Sequence, residues 1–304
     1  MIDVLCIGYA CYDLIYYPDI PIQFDRKYFV RKTDESGGGP AANAAFLLSS
    51  WQIPTAFAGL LGKDRLADTI IAEFQAAGTN TALIKQDQSF STPFSSIVIH
   101  PDTGERTIFT RHMDPPAYLP EWDSLPCLSP KIILADGHQL EATLEARERF
   151  PKAILVLDAG SLREATKSLL PITDIAICSE PFACSISQQV NLAAPEKKRK
   201  ALFAVKKECP GRIAITLGSN GVVFLENETM HHIPAFPVQA IDTTAAGDIF
   251  HGSFVYAHLL GMSFHDGLYF ASAAAALSVT HRGGRNSIPK ITEVNNVLQN
   301  QNQE

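Results

Sequence analysis

No uninterrupted apolar stretch of this 304-residue chain is long enough to cross a bilayer. The start runs from Met1 to Asp3 directly into an apolar strand, with neither a basic segment nor a cleavage site. These absences predict a cytoplasmic chain with no membrane as partner. Positive charge is not in excess: 25 Lys and Arg stand against 32 Asp and Glu, a net charge of −7. That argues against a nucleic-acid surface, and leaves room only for a local basic pocket. Six cysteines (Cys6, Cys11, Cys127, Cys178, Cys184, Cys209) are scattered and form no C-x-x-C, which predicts thiols of a reducing compartment rather than a disulfide framework. The nine histidines form no H-E-x-x-H or Cys/His zinc spacing. Gly62-Lys63 is followed by Asp64, so there is no Walker A motif, and the G-x-G-x-x-A spacing of Gly37, Gly39 and Ala42 lacks the buried strand a dinucleotide fingerprint needs. Asn227-Glu228-Thr229 fits a glycosylation sequon, which without a secretion signal is chance.

What is present suits a globular α/β fold, with 46% hydrophobic residues and a mean hydropathy of +0.04. Short apolar runs at Val4–Ile7, Ala56–Leu61, Ile132–Ala135, Ala153–Leu157, Asp174–Cys178, Arg212–Leu217 and Val222–Leu225 read as strands. Amphipathic stretches at 67–77, 140–150 and 196–207 and apolar ones at 245–260 and 264–280 read as helices. The alternation predicts a doubly wound, mostly parallel sheet flanked by helices. Two less apolar segments, 9–34 and 94–112, predict a separate small sheet, with Ile20–Lys32 as a strand having one wet face and Pro101–Glu105 as a hairpin turn. Ser36–Gly39 reads as a glycine loop that feeds a helix with Pro40 in its first turn. The Asn/Gln-rich tail from Asn295 is expected to fray.

The stretch with the clearest chemistry runs from Ile241 to Gly252 (I-D-T-T-A-A-G-D-I-F-H-G). It reads as a loop entering a helix, with Thr243 and Thr244 as cap-type residues and Ala245, Ala246 and Gly247 keeping side chains away from the first-turn N–H groups. Such a turn is an anion site. Asp248 inside it costs repulsion unless it takes a proton from a reacting group, so the combination points to phosphoryl transfer to a hydroxyl.

Gly8 to Asp13, then Gly37-Gly38-Gly39-Pro40-Ala41-Ala42-Asn43, and at the far end Asp242 to Asp248 occur in an order that resembles the PfkB family of carbohydrate kinases, of ribokinase-like fold. The resemblance covers nearly the whole chain as one kinase domain, with 9–34 and 94–112 as lid segments inserted in it. It implies ATP- and Mg²⁺-dependent phosphorylation of a sugar hydroxyl, with Asp248 as general base and the amides of Ala245, Ala246, Gly247 and Asp248 as anion hole. It further implies sugar contacts at Asp13, Gly38, Gly39 and Asn43, with His138 at a position that contacts substrate; Lys27 and Arg111 would meet a substrate anion if the predicted lid carries them. Nucleotide contacts are implied at Thr216, Gly218, Gly221, Ser179 and Ser272. A monovalent cation such as K⁺ is implied at Asp242, Thr244, Ser278, Gly283 and Ser287, and Glu180 is implied as a water-mediated Mg²⁺ contact. Relatives of this type pair their lids, and Tyr16, Tyr28 and Phe29 would allow a homodimer.

The family usually has Gly where Ala245 stands, and its N-x-x-E motif reads Ser179-Glu180-Pro181-Phe182 here. The segments 37–42, 179–181, 234–236 and 282–285 look most like sulfofructose kinases, and ketohexokinases are more distant. An Asn and an Arg expected for a sulfonate pocket are replaced by Thr110 and His138, while Lys27 is retained and Arg111 is new. Two alternatives stand beside a sugar kinase: a nucleoside kinase of the same fold, and a sugar- or nucleotide-binding protein without catalysis.

Overall fold

The computed structural model describes residues 2–111 and 115–301, with the side chain of Gln301 excepted. Among the described residues, thirteen strands and nine α-helices follow in chain order: β1 Val4–Ile7, β2 Cys11–Tyr16, β3 Thr33–Gly38, α1 Pro40–Ser50, β4 Thr55–Gly62, α2 Arg65–Ala77, β5 Asn80–Asp87, β6 Phe94–Ile99, β7 Arg106–Thr110, β8 Ile132–Ala135, α3 Leu140–Arg149, β9 Ile154–Ala159, α4 Glu164–Leu169, β10 Ile175–Ser179, α5 Glu180–Ser187, α6 Pro195–Glu208, β11 Arg212–Thr216, β12 Val222–Glu226, β13 Thr229–Ile233, α7 Ala246–Leu259, α8 Phe264–Ser278 and α9 Ile291–Gln301.

Nine strands form one sheet in the order β13-β12-β11-β10-β9-β8-β1-β4-β5. The seven from β5 to β11 are parallel, and β12 and β13 close that edge as an antiparallel meander. In β1, Val4 and Cys6 face the apolar layer of α1, α2, α7, α8 and α9, whereas Leu5 and Ile7 face the layer that includes α3. Helices α4, α5 and α6 cover the rest of that second face. This burial on both sides is why the strands read as continuous apolar runs. The chain moves from β1 to β4 on one side and later to β8 on the other, so strand order reverses beside β1. Ligand crevices form at the carboxyl ends of strands at such a switch point.

Four strands form a second sheet in the order β3-β2-β6-β7. Ile15, Tyr17, Ile97 and Ile99 make its own small core. The strand expected over Ile20–Lys32 is absent. Pro18 and Pro21 cannot donate to a ladder, and the strand forms instead at Thr33–Gly38. Gly37 and Gly38 are therefore strand residues paired with Tyr12 and Cys11, not a free loop. The β6–β7 hairpin forms as expected, with Gly104 at φ +69. The C-terminal segment does not fray at Asn295 but continues as α9 to Gln301, with Val294 buried in the main core. Residue 112 of the second lid segment and the last three residues of the tail lie outside the described residues. Among the described residues no helix is long and apolar enough to cross a membrane.

Candidate active site

The carboxyl ends of β1, β8 and β9, the start of α1 and the start of α7 come together: Asp136 accepts from Tyr9 N and Ala41 N, Asn43 meets Asp248, and His251 meets Asp158; a ligand crevice is expected at these strand ends. Asp13 enters it from β2, 7% exposed, paired across the small sheet with Ser36 and Ser95. The Cys11 thiol donates to Asp13 Oδ1 at 3.1 Å. Burial raises the Asp13 pKa, against the opposing pull of the Cys11 and Ser95 donors and the Arg285 charge. Gly38 leaves room for this carboxylate: a Cβ there would lie 1.9 Å from Asp13 Oδ2 and would displace it. Gly39, at φ +101, is the N-cap of α1 and approaches the Tyr9 carbonyl too closely for a side chain.

Helix α1 then turns Asn43, 3% exposed, toward α7. Gly252 lets the two helices approach, since a Cβ on it would stand 3.2 Å from Ala44 Cα. The result is a hydrogen bond of 2.7 Å from Asn43 Nδ2 to Asp248 Oδ2. Asp248 sits in the first turn of α7, where N–H groups have no intrahelical acceptor. Beside it, the space where a Gly247 side chain would project is open. The cap of α7 is neither threonine: Ala245 takes the position in left-handed backbone at φ 59. Thr243 is drawn away, donating through its hydroxyl to the Gly104 carbonyl at 3.0 Å. Burial and the negative charge of Asp158 push the Asp248 carboxyl up to about 7, against the Asn43 donor and the His251 charge. His251 lies behind them, with Nδ1 3.3 Å from Asp158 Oδ2.

The five residues proposed from sequence for a monovalent cation fall in three adjoining segments. Asp242, 1% exposed, accepts from Thr244 N, Gly283 N and the Tyr17 hydroxyl at 2.8, 2.9 and 2.7 Å. Ser278 and Ser287 donate to the carbonyls of Ala275 and Gly284. The Thr244 hydroxyl is buried without a partner among the described residues. Sequence reasoning missed the small sheet's grip on this loop. Arg106 of β7 donates to the Thr243 carbonyl at 2.9 Å, and Thr243 N donates to the Gly104 carbonyl at 3.0 Å.

His138 reaches the crevice from the end of β8, stacked on Tyr9 with ring centroids 4.7 Å apart. Asp136, also missed, organises that end. Its carboxylate accepts from the backbone N–H groups of Tyr9, Ala41 and His138. Burial works to raise its pKa, but the His138 charge and these donors hold it lowered. Arg163, before α4, donates to the Asp136 carbonyl at 2.8 Å, and its Nη1 lies 2.5 Å from His138 Nε2. Nothing in the spacing Asp158 to Arg163 marked that arginine beforehand. The two other cations expected to meet a substrate anion are engaged elsewhere. Lys27 lies over the Phe29 ring on an exposed segment, and Arg111 donates to the Thr92 carbonyl at 2.9 Å.

On the side proposed for nucleotide, Thr216 and Ser179 are paired across β11 and β10. Ser179 caps α5 by accepting from Phe182 N and donates to the Gly160 carbonyl. Gly218 and Gly221 shape the turn into β12, and a Cβ on Gly221 would meet the Ile233 carbonyl at 2.0 Å. Ser272 lies apart in this respect, within α8, its hydroxyl satisfied by the Leu268 carbonyl. Glu180 accepts from Leu192 N at 3.0 Å, and Phe182, where the N-x-x-E glutamate would stand, is wholly buried in the core. Among the described residues no group of three or more His, Cys, Asp or Glu side chains is arranged to hold a metal ion.

A family model described as pfkB family carbohydrate kinase matches residues 1–291. The ribokinase of Staphylococcus aureus is 30% identical over 275 residues, covering 86% of this chain and 88% of that protein. The ribokinase of Haemophilus influenzae is 30% identical over 262 residues, covering 83% and 84%. The ribokinase of Arabidopsis thaliana, solved in complex with ribose and ATP, superposes with a TM-score of 0.81 at 23% identity, covering 98% of this chain and 99% of that one.

Proposed function

The chain belongs to the pfkB family of carbohydrate kinases, and from that premise we propose that it transfers the γ-phosphoryl group of ATP to a primary hydroxyl of a sugar, with Asp248 as the general base. The observation that carries this reading is the placement of Asp248. It sits in the first turn of α7, where N–H groups have no intrahelical acceptor and Ala246 N makes only a long 3.4 Å contact to the Thr243 carbonyl; the space beside Gly247 is open, and Asp248 is bound to Asn43 at 2.7 Å.

In this reading Asp13 accepts from sugar hydroxyls, as a carboxylate flanked by Gly38 and Gly39 can, and the Asn43 amide both donates and accepts. The reacting hydroxyl loses its proton to Asp248 as its oxygen forms the bond to Pγ. The bond from Pγ to the bridging oxygen breaks, and ADP leaves with that electron pair. The N–H groups of Ala246, Gly247 and Asp248 receive the charge that spreads over the transferring group. The small sheet, tied to the Asp242–Thr243 segment, acts as the lid that excludes water. Mg²⁺ would supply charge neutralisation between the phosphates. It keeps most of its water shell and needs few protein oxygens, which fits a site without a carboxylate cluster. The orphaned Thr244 hydroxyl beside Asp242 supports K⁺ in the adjoining loop. Arg163 and His138, rather than Lys27, favour a sugar carrying an acid group. The exposed lid residues Phe29 and Phe109 support pairing of two lids in a homodimer, and six free cysteines suit a cytoplasmic setting.

The test is ADP release with MgATP across ribose, deoxyribose, ketohexoses, sugar acids, sulfofructose and nucleosides, alongside Asp248→Asn. One compound class should give turnover that the variant loses by about 10²-fold or more. Sugar-independent ADP release, or an Asp248→Asn enzyme of full activity, overturns the proposal.

A further inference from the structure

One buried charge near the crevice has no part in the reaction as described. Arg285, in the Arg282-Gly283-Gly284-Arg285 run, has a side chain only 3% exposed. Its guanidinium lies over the rings of Phe46 and Phe74, 4.9 and 4.6 Å from their centroids. Its Nη1 pairs with Glu73 Oε2 at 2.5 Å, and the same oxygen accepts from Gly37 N at 2.9 Å. Its Nε donates to Asn43 Oδ1 at 3.4 Å, the long end of a hydrogen bond. Its Nη2 is buried without a partner among the described residues.

Taking a guanidinium out of water costs several kcal/mol unless its donors are used. A side chain needed only to fill space between two phenylalanine rings would be apolar. What arginine adds here is direction. An amide can turn over and exchange its oxygen and nitrogen, and only one of the two orientations points Nδ2 of Asn43 at Asp248. Guanidinium has donors and no acceptor. Placed against one end of the Asn43 amide, it selects the orientation with Oδ1 toward itself and Nδ2 toward Asp248. Through Glu73 it also ties down Gly37, one residue before the glycine that abuts Asp13.

We propose that Arg285 is a positioning residue for phosphoryl transfer, acting through Asn43 to keep a hydrogen-bond donor on Asp248. This rests on Asp248 being the base. Without Arg285 the amide is free to turn its oxygen toward the carboxylate. Asp248 then holds its proton more tightly, and turnover at neutral pH falls. Asp248 is also faced by Asp158 from β9, His251 from its own helix and Arg106 from β7. None of these changes in the variants below, so a pH limb that moves in Arg285→Met but not when Asn43 is already Ala reports the Asn43 contact rather than the lost charge.

The experiment is a mutant cycle of Arg285→Met, Asn43→Ala and the double variant, with Arg285→Lys and Asp248→Asn beside it. Read kcat against pH, KM for ATP, and melting temperature. Arg285→Met should lower kcat by about tenfold and move the acid limb of kcat to higher pH with KM for ATP unchanged. In the Asn43→Ala background the same change should cost less than about twofold. Arg285→Lys keeps a donor and the charge, and should restore the limb; it also serves where the methionine variant does not fold. Losses that multiply in the double variant, or a lower melting temperature with kcat and its pH limb unmoved, overturn the role of Arg285 alone, provided Asp248→Asn is inactive. An active Asp248→Asn overturns the base assignment itself.

Discussion

Tyr17 and Asp242 stand 225 residues apart in sequence and share one hydrogen bond of 2.7 Å, with the phenol donating. The bond joins the small sheet to the loop that feeds α7. Asp242 also accepts from Thr244 N and Gly283 N, so one buried carboxylate joins the sheet, the 242–248 loop and the segment that leads to Arg285. With the Arg106–Thr243 and Gly104–Thr243 contacts, it fixes the small sheet against the 242–248 loop.

Tyr17→Phe removes that donor and leaves an acceptor of Asp242 unfilled in the interior. The expected cost is about 1–3 kcal/mol of stability. If the sheet closes over the sugar, KM for sugar should rise while KM for ATP stays level. Thermal unfolding and two substrate titrations check it; equal changes in both KM values would contradict it.

The pH dependence follows from Asp248. Burial and Asp158 raise its carboxyl from the ordinary 3.8 to about 7 in the folded chain. Across the window between these values the folded protein keeps a proton that the unfolded chain has released. Stability from this group is therefore present at low pH and is lost as pH rises toward 7. On the proposed role of Asp248 as the base, activity moves the opposite way, because the carboxylate must be ionised, so kcat should climb with an apparent pKa near 7. Asp248→Asn should melt higher than the parent at pH 8 and at nearly the same temperature at pH 4. Melting curves at the two pH values decide it.

Ala245 takes a left-handed conformation, φ 59, that glycine adopts without cost and alanine pays about 1 kcal/mol to enter. Ala245→Gly should therefore leave the melting temperature level or raise it, where the same change inside a helix would lower it, and should keep activity. A clear fall in melting temperature would show that the alanine methyl packs usefully there.

Much of this was legible in the chain because the signals are local. Asp248 follows a run of small residues, Pro40 marks the first turn of α1, and the apolar strands are buried on both faces. The edges were harder. Strand β5 carries Lys85 and Gln86 at a wet margin, and α4 and α5 are too short for a period to show. At the candidate site, Asp13 and Asn43 were proposed from the motif that carries them, and the structure buries both beside Gly38 and Asp248. Arg163, Asp136, Tyr17 and Arg285 were not, because each acts through a partner far away in sequence, such as Arg285 on Glu73. The threonines read as caps because their chemistry suits that role, yet the hairpin at Gly104 claims Thr243 first.

The most direct test of the central claim is a ³¹P NMR time course of the protein with MgATP and the sugar selected by ADP release. The account predicts a sugar phosphomonoester resonance that grows in step with ADP and is abolished in Asp248→Asn. Formation of ADP and inorganic phosphate alone, at the same rate with and without sugar, would contradict it.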